Sequence, residues 1–422
     1  MNTAQQKFNL CVNSEIGELK GVILHTPGLE IENMTPMNVE RALYSDILNL
    51  SVATCEYRQL QGVLERVSQV FQIRSLLERT LQNSKVKQRL IEQICVNENA
   101  QEISSQLLEM SDKNLARCLI EGVLLQKNNL SRFLSRERYS LRPLHNFFFT
   151  RDSAITIGDQ VLIANMANKV RSRESMIMEA IFDFHPMFAT RTISVPASGE
   201  FAGARVEGGD ILVAAEDILL IGIGARTTPQ AVDFLIDHFC RAGKTQHIIV
   251  QELPQQPESF IHLDMVFTLL DHSTCMIYEP VILQPNMFRT VLISIRDGEV
   301  TEISEQQNLL TALNGLGQEL QPISCGGSAD TWTQEREQWH SGANFFAIAP
   351  GKIIGYRRNI NTIEELDRKG FTILDATDVA EKKVDLNAYQ KCVITIDGSE
   401  LARGGGGCRC MTMPISRTEL SA

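Results

Sequence analysis

After Pro143 the sequence settles into one unit and repeats it: two short apolar strands joined by a tight turn, then a helix, then a third strand. Ser153–Ile157, the Gly158-Asp159 turn and Gln160–Ala164 read as a hairpin, followed by a helix over Arg173–Phe184 and a strand at Thr192–Val195. The second copy runs Ile211–Val213, a Glu216-Asp217 turn, Ile218–Ile221, a helix over Pro229–Ala242 and a strand at Ile248–Val250. The third runs Met265–Thr268, Cys275–Tyr278, a helix near Glu305–Leu313 and Ile323-Ser324. The fourth runs Asn344–Ile348, Ile353–Tyr356, a helix over Thr362–Lys369 and Thr372–Leu374. A fifth copy needs both ends of the chain: Cys410–Pro414 supplies its first strand, and Gly21–His25, a helix over Cys55–Val67 and Val70–Ile73 supply the rest. Such a unit cannot bury its own apolar face and needs neighbours, so about five of them predict a closed, pseudosymmetric α/β ring. An open doubly wound sheet is the alternative. Against it, no GxGxxG follows the first strand, and hairpins rather than single strands precede the helices.

One region breaks the pattern. Leu76, Leu77 and Leu81, then Leu90, Ile91 and Ile94, then Ile103, Leu107 and Leu108, then Leu115, Leu119 and Val123 recur at helical spacing. Strand signals are missing there, and Asn97-Glu98-Asn99 and Ser111-Asp112-Lys113 separate the helical stretches. The expectation is a bundle of short helices packed on each other, inserted as residues 76–135 into a ring made of residues 1–75 and 136–422.

The residues able to do chemistry stand at the mouths of the first strands. Asp152 precedes Ser153, Glu207-Gly208-Gly209-Asp210 precedes Ile211, His262-Leu263-Asp264 precedes Met265, and Cys410 precedes Met411. Taken singly, an Asp before a strand is usually a turn former and a His a hydrogen-bonded structural residue. In a ring, however, equivalent positions of successive repeats face a common axis, so these side chains should converge. The set holds one thiol, one imidazole and several carboxylates, with no metal-ligand spacing. Cys410 needs an acid/base partner, for which His262 is the candidate. Asp152 and Asp264 exceed what one orienting acid requires. Spare carboxylates suit a flat, multidentate cation, and guanidinium offers five donors in a fixed fork. Carboxylates near a thiol raise its pKa, so a cationic substrate would itself help to generate the thiolate. The stretch Arg403–Pro414 puts four glycines ahead of Cys408-Arg409-Cys410, and Arg403 and Arg409 are expected to pull the thiol pKa down. A Cys408–Cys410 disulfide would be strained.

Composition narrows the rest. A formal net charge of −11 argues against a general nucleic-acid binder. The ten cysteines include no CxxC pair, the chain opens on a polar segment, and no apolar run approaches the roughly 20 residues that span a bilayer. The expectation is a cytoplasmic protein with reduced thiols and a small-molecule substrate, with neither nucleic acid nor membrane as partner, and with a homo-oligomer left open.

Together these stretches resemble the arginine deiminase family of the guanidino-group-modifying (pentein) superfamily. The likeness rests on Ser14-Glu15-Ile16-Gly17, His25-Thr26-Pro27-Gly28, Asn146-Phe147-Phe148-Phe149-Thr150-Arg151-Asp152 and Arg171-Ser172-Arg173-Glu174. It continues through Glu207-Gly208-Gly209-Asp210, His262-Leu263-Asp264, Arg336-Glu337-Gln338-Trp339 and Cys410-Met411-Thr412-Met413-Pro414, and so covers essentially the whole chain. The resemblance implies a five-bladed α/β propeller of ββαβ repeats with an inserted helical bundle. It also implies hydrolysis of L-arginine to L-citrulline and ammonia through a covalent S-alkylthiouronium on Cys410, with no cofactor and no metal. By the same likeness His262 is the acid and base, Glu207 orients it, and Asp152 and Asp264 hold the guanidinium. Arg171 and Arg226 match positions for the substrate carboxylate, and Asn146 and Phe149 match the pocket wall. This sequence departs from the family at Gly405, where some members carry an arginine, at Cys408, where a smaller residue is usual, and at Ser45, where a second Asp is frequent. A hydrolase or amidinotransferase acting on another guanidino or ureido compound is the alternative, and a catalytically idle arginine-binding protein a third reading.

Overall fold

The N-terminal part shows how the units are built. Strand β1 (Leu19–Leu24) and strand β2 (Gln69–Gln72) pair in parallel, and a parallel pair needs a long crossover. The helix Leu50–Val67 provides it. Asn49 caps its N-terminus by accepting from the backbone N–H of Ser51 and Val52, and Ala53, Tyr57, Leu60, Val63 and Leu64 form the buried stripe. This computed structural model describes residues 7–36, 39, 43, 44, 46–188, 190–328 and 330–420; Ser45 lies outside them.

Helices Ile73–Leu81, Ser84–Asn97, Ser104–Glu109, Asp112–Glu121 and Leu130–Leu134 follow, with a short antiparallel pair, β3 (Val123–Leu124) and β4 (Tyr139–Leu141), closing the segment. Their apolar faces do more than pack on each other. Leu77, Leu90, Ile94 and Leu119 share one core with Ile177 and Phe182 of the helix Ser172–Phe184 and with Ile163, Met413 and Ile415.

The remaining units obey one rule: the second strand runs antiparallel to the first and parallel to the third. It holds for β5 (Ala154–Ile157), β6 (Gln160–Ile163) and β7 (Thr192–Ser194), and for β8 (Ile211–Ala215), β9 (Ile218–Ile223) and β10 (Gln246–Glu252). It holds again for β11 (Phe267–Leu269), β12 (Thr274–Ile277) and, after a hairpin of β13 (Thr290–Arg296) and β14 (Glu299–Gln306), β15 (Gln321–Ser324). In the next unit, β16 (Phe346–Ala349) and β17 (Lys352–Tyr356) form the antiparallel pair, and β18 (Thr372–Asp375) and β19 (Cys392–Ile396) complete the sheet. Finally β20 (Met413–Arg417) runs antiparallel to β1, so the two chain-distant segments share one sheet. The architecture is mixed α/β, and among the described residues the sheets stay separate, none closing on itself.

Three expectations need correction. The helix expected near Glu305–Leu313 begins only at Leu309 and runs to Gly315, because Glu305 belongs to β14. Asp297 and Gly298 both take positive φ, the backbone of a two-residue hairpin turn, and the β13–β14 hairpin extends the β8–β10 sheet through β10. In the fourth unit the strand beside β17 is β19, with β18 outside it, because all five residues of Cys392–Ile396 are buried and take the central place. The first strand of the third unit begins at Phe267, since Leu263–Met265 form a short 3₁₀ turn. Among the described residues no helix is long and apolar enough to cross a membrane.

Candidate active site

Each first strand is entered through a tight loop, and these loops come together. Gly209 shows how closely: a Cβ there would lie 2.5 Å from His262 Nδ1 and 3.1 Å from Asp152 Oδ1, so only glycine lets the Glu207 loop pass beside the imidazole. His262 Nε2 donates to Glu207 Oε2 at 2.9 Å, and Nδ1 stands 3.6 Å from Asp152 Oδ1. Glu207 is itself anchored, its Oε1 accepting from the Ala167 N–H at 2.9 Å. The neighbouring Asp210 accepts from the Leu263 N–H at 3.0 Å, and Gln338 donates to the carbonyls of Ser259 and Met265 at 3.0 and 2.5 Å, which fixes the loop that carries His262.

Cys410 is buried, its Sγ 3.7 Å from Asp264 Oδ2 and 3.7 Å from Met265 Sδ. Asp264 is wholly buried behind it, with Oδ2 accepting from Arg409 Nη1 at 2.8 Å. Arg409 is also gripped by Glu15, Nε to Oε2 and Nη2 to Oε1 both at 2.9 Å, so the Ser14–Gly17 stretch supports the loop that carries Cys410. Asn344 ties these loops together and was not singled out from the sequence. Its Oδ1 accepts from the N–H groups of Arg409 (2.9 Å) and Cys410 (3.2 Å), and its Nδ2 donates to the Asp264 carbonyl (2.9 Å). It stands at the mouth of β16, the position in the fourth unit equivalent to Asp152, Glu207 and Cys410 in theirs.

Electrostatics give each group a distinct state. Burial alone would lower the His262 pKa, but Asp152, the Glu207 hydrogen bond and Asp210 outweigh it and raise it to about 9. Burial opposes ionisation of Glu207, yet His262, Arg226 and Arg171 hold it down at about 2. The pair is therefore imidazolium and carboxylate at neutral pH. The thiol goes the other way: burial first, then Asp264 and Asp152, push Cys410 well above an ordinary thiol, and Arg409 offsets only part of this. Arg409 pulls the thiol pKa down as expected but is outweighed, and both arginines are held by ion pairs of their own. Arg409 spends its charge on Glu15 and Asp264, and Arg403 turns outward to Asp46 and Glu400. Cys408 is buried as well, and no disulfide joins it to Cys410.

A small cavity of about 30 Å³ is bordered by Asp152, His262 and Cys410 together with Asn146, Phe149, Arg171, Arg226, Leu43 and Gly404–Gly406. Asp264 does not line it. The two arginines differ. Arg171 Nη1 donates to Asp152 Oδ2 at 2.6 Å, Nε and Nη2 bond Glu174, and Nη2 also reaches the carbonyls of Asn146 and Phe149, so its fork is filled. Arg226 stands 3.6 Å from Glu207 Oε1, and its buried Nη1 has no hydrogen-bond partner. Asp152 Oδ1 is likewise buried without a donor. Asp152, Glu207 and His262 cluster closely enough to hold a cation. An imidazole protonated up to about 9 is no ligand near neutral pH, and of the cluster's carboxylate oxygens only Asp152 Oδ1 is unengaged, so the set does not fit a metal.

The chain is similar to known proteins along nearly its full length. It is 33% identical over 436 residues to the arginine deiminase of Bacillus cereus (strain B4264), covering 98% of this chain and 100% of that protein. The arginine deiminase of Bacillus cytotoxicus matches at the same identity and coverage. Among solved structures, an amidinotransferase of the saxitoxin pathway from Microseira wollei superposes with a TM-score of 0.54 at 10% identity, covering 98% of this chain and 99% of that one. The N-terminal domain of an arginine dihydrolase from the cyanobacterial ornithine–ammonia cycle superposes at 0.53 with 12% identity, covering 95% and 99%. At these identities the two structures speak for the fold alone, a mixed α/β fold shared with guanidino-modifying enzymes. The family profile described as arginine deiminase matches residues 40–417. The chain belongs to the arginine deiminase family.

Proposed function

We propose that the protein hydrolyses L-arginine to L-citrulline and ammonia through a covalent intermediate on Cys410. The observation that carries this reading is that Cys410, His262 and Asp152 border one cavity in which a carboxylate oxygen, Asp152 Oδ1, is buried without a donor. Buried acceptors are rarely left unmet. A guanidinium laid in the cavity would supply Asp152 Oδ1 with an N–H, and a second N–H would take the place of the Cys410 thiol, now 3.9 Å away, on Asp264 Oδ1. Its positive charge would also stabilise the thiolate that the two carboxylates oppose in the empty site.

The thiol proton then passes to solvent water, and Sγ bonds the guanidinium carbon, which becomes tetrahedral. His262, still protonated, gives its proton to the departing nitrogen as the C–N bond breaks, and ammonia is released. The now neutral imidazole takes a proton from water, whose oxygen attacks the S-alkylthiouronium carbon. The C–S bond breaks as the remaining hydroxyl proton passes to the departing sulfur, so the carbonyl forms, the neutral thiol is restored and citrulline departs. Glu207 holds the ring in line throughout. The α-carboxylate goes to Arg226, whose Nη1 is unmet, while Arg171 holds Asp152 in place; the likeness to the family alone had put both arginines on the carboxylate. Asn146 and Phe149 wall the substrate.

We also infer that the five units stand as blades of a five-bladed propeller, with residues 76–135 as an insertion between 1–75 and 136–422. What supports it is the shared strand rule and the meeting of one first-strand mouth from every unit at Asp152, Glu207, His262, Asn344 and Cys410.

Incubation with L-arginine should give citrulline and ammonia in equal amounts. Ornithine without ammonia, in the presence of an acceptor amine, would instead indicate amidino transfer. Steady-state kinetics should show Arg226→Met raising KM about 10- to 100-fold, the loss of a charge-assisted pair, with kcat changed far less. The alkaline limb of kcat/KM reports the free enzyme's acid, here His262 near pH 9. Glu207 raises that pKa, so Glu207→Gln should move the limb to lower pH, by about one unit or more. An unmoved limb would remove His262 as the acid.

A further inference from the structure

The Arg171–Glu174 stretch has a second side that the proposed reaction does not use. The seam between residues 97–102 and the stretches 125–146 and 169–174 holds a cavity of about 650 Å³, lined in part by Glu98, Arg132, Tyr139, Lys169 and Arg173. That volume is in the range of ligand pockets. Arg173 is 1% exposed. Its Nη2 donates to the Arg142 carbonyl, Nε stands 3.1 Å from Glu98 Oε1 without hydrogen-bond alignment, and Nη1 has no partner. A buried guanidinium nitrogen left unmet is costly, and a ligand oxygen would complete it. The Tyr139 hydroxyl is also buried without a partner.

The surrounding charges point the same way. Glu98 is taken by Arg173, and Glu137 lies 3.1 Å from Arg142. Lys169 has no ion pair among the described residues, and Arg132 meets only the Asn128 amide, at 3.2 Å. Glu102, at the exposed rim, is the one wall carboxylate not committed to an arginine. The wall carries four cations and four carboxylates, but Glu98, Glu137 and Glu174 are each paired with an arginine, which leaves Lys169 and Arg132 facing Glu102 alone. We propose that the seam is a second binding site, distinct from the catalytic cavity, for a small anion bearing a carboxylate or phosphate group, seated on Arg173 with Lys169 and Arg132 at its mouth. Asn146 borders both cavities, which sets the two sites back to back.

Titration calorimetry of the full chain with inorganic phosphate and with succinate tests this without recourse to turnover. At least one anion should bind with one site per chain, and the tighter of the two identifies the headgroup. Lys169→Met and Arg132→Ala, both outside the core, should each weaken binding about tenfold as a charge-assisted contact is lost. Arg226→Met should leave it unchanged. Absence of binding by both anions would overturn the proposal. So would binding that survives the Lys169 and Arg132 changes, or that is lost in Arg226→Met, which would put the anion in the catalytic cavity.

Discussion

Replacing Cys410 with alanine should lower citrulline formation by about four orders of magnitude or more, the loss typical of removing a covalent nucleophile. Arginine binding should survive. The thiol lies 3.7 Å from Asp264, and burial with two carboxylates holds it in the neutral form, so in the empty site it adds no charge that the substrate needs. Calorimetry with arginine on Cys410→Ala should therefore give an affinity close to or above that of the intact site, while turnover vanishes. Cys408→Ala is the matched control: it is buried two residues away, does not border the cavity, and should retain turnover within about tenfold. Residual activity of a few per cent in Cys410→Ala would move the nucleophile elsewhere.

Asp264→Asn should produce two opposite effects. Turnover should fall about a thousandfold or more, because one of the two carboxylates proposed to receive the guanidinium loses its charge where solvent cannot replace it. The thiol, in contrast, should become easier to ionise. Asp264 is the largest charge acting against the Cys410 thiolate, and a nearby opposing charge moves a pKa by about one to three units. Alkylation of Cys410 by iodoacetamide, followed against pH in the absence of substrate, should shift to lower pH by about that amount. A more reactive thiol in a less active enzyme separates the electrostatic account from a merely damaged fold. Arg409 keeps both Glu15 contacts in this variant, so the loop should hold. Slower alkylation alongside lost turnover would contradict it.

Much of this site was legible before any coordinates, and for a specific reason. A repeat places equivalent residues at equivalent places, so Asp152, Glu207, His262 and Cys410 could be grouped from position alone. Asn344 holds the same position and was passed over, because an amide neither titrates nor attacks and offers no chemical signal by itself. The hairpin β13–β14 was missed although Asp297-Gly298 announces a turn. Its outer strand, Glu299–Gln306, buries no residue, so the alternation that marks a strand is absent. β19 failed in the opposite sense: a run of five buried residues shows apolar content but no period that says where in a sheet it belongs. The arginines were hardest. Whether Arg171 faces substrate or Asp152, and whether Arg409 serves the thiol or Glu15, depends on partners far away in sequence, Glu15 and Arg409 being 394 residues apart.

The claim on which the rest depends is that arginine itself turns a neutral, buried thiol into the attacking group. Acid quenching of the enzyme within its first turnover, followed by intact-mass and peptide mass spectrometry, tests it most directly. The account predicts a transient adduct on Cys410 with the mass of arginine less ammonia, absent in Cys410→Ala. Citrulline formed with no such adduct, or an adduct carried by another residue, would contradict it.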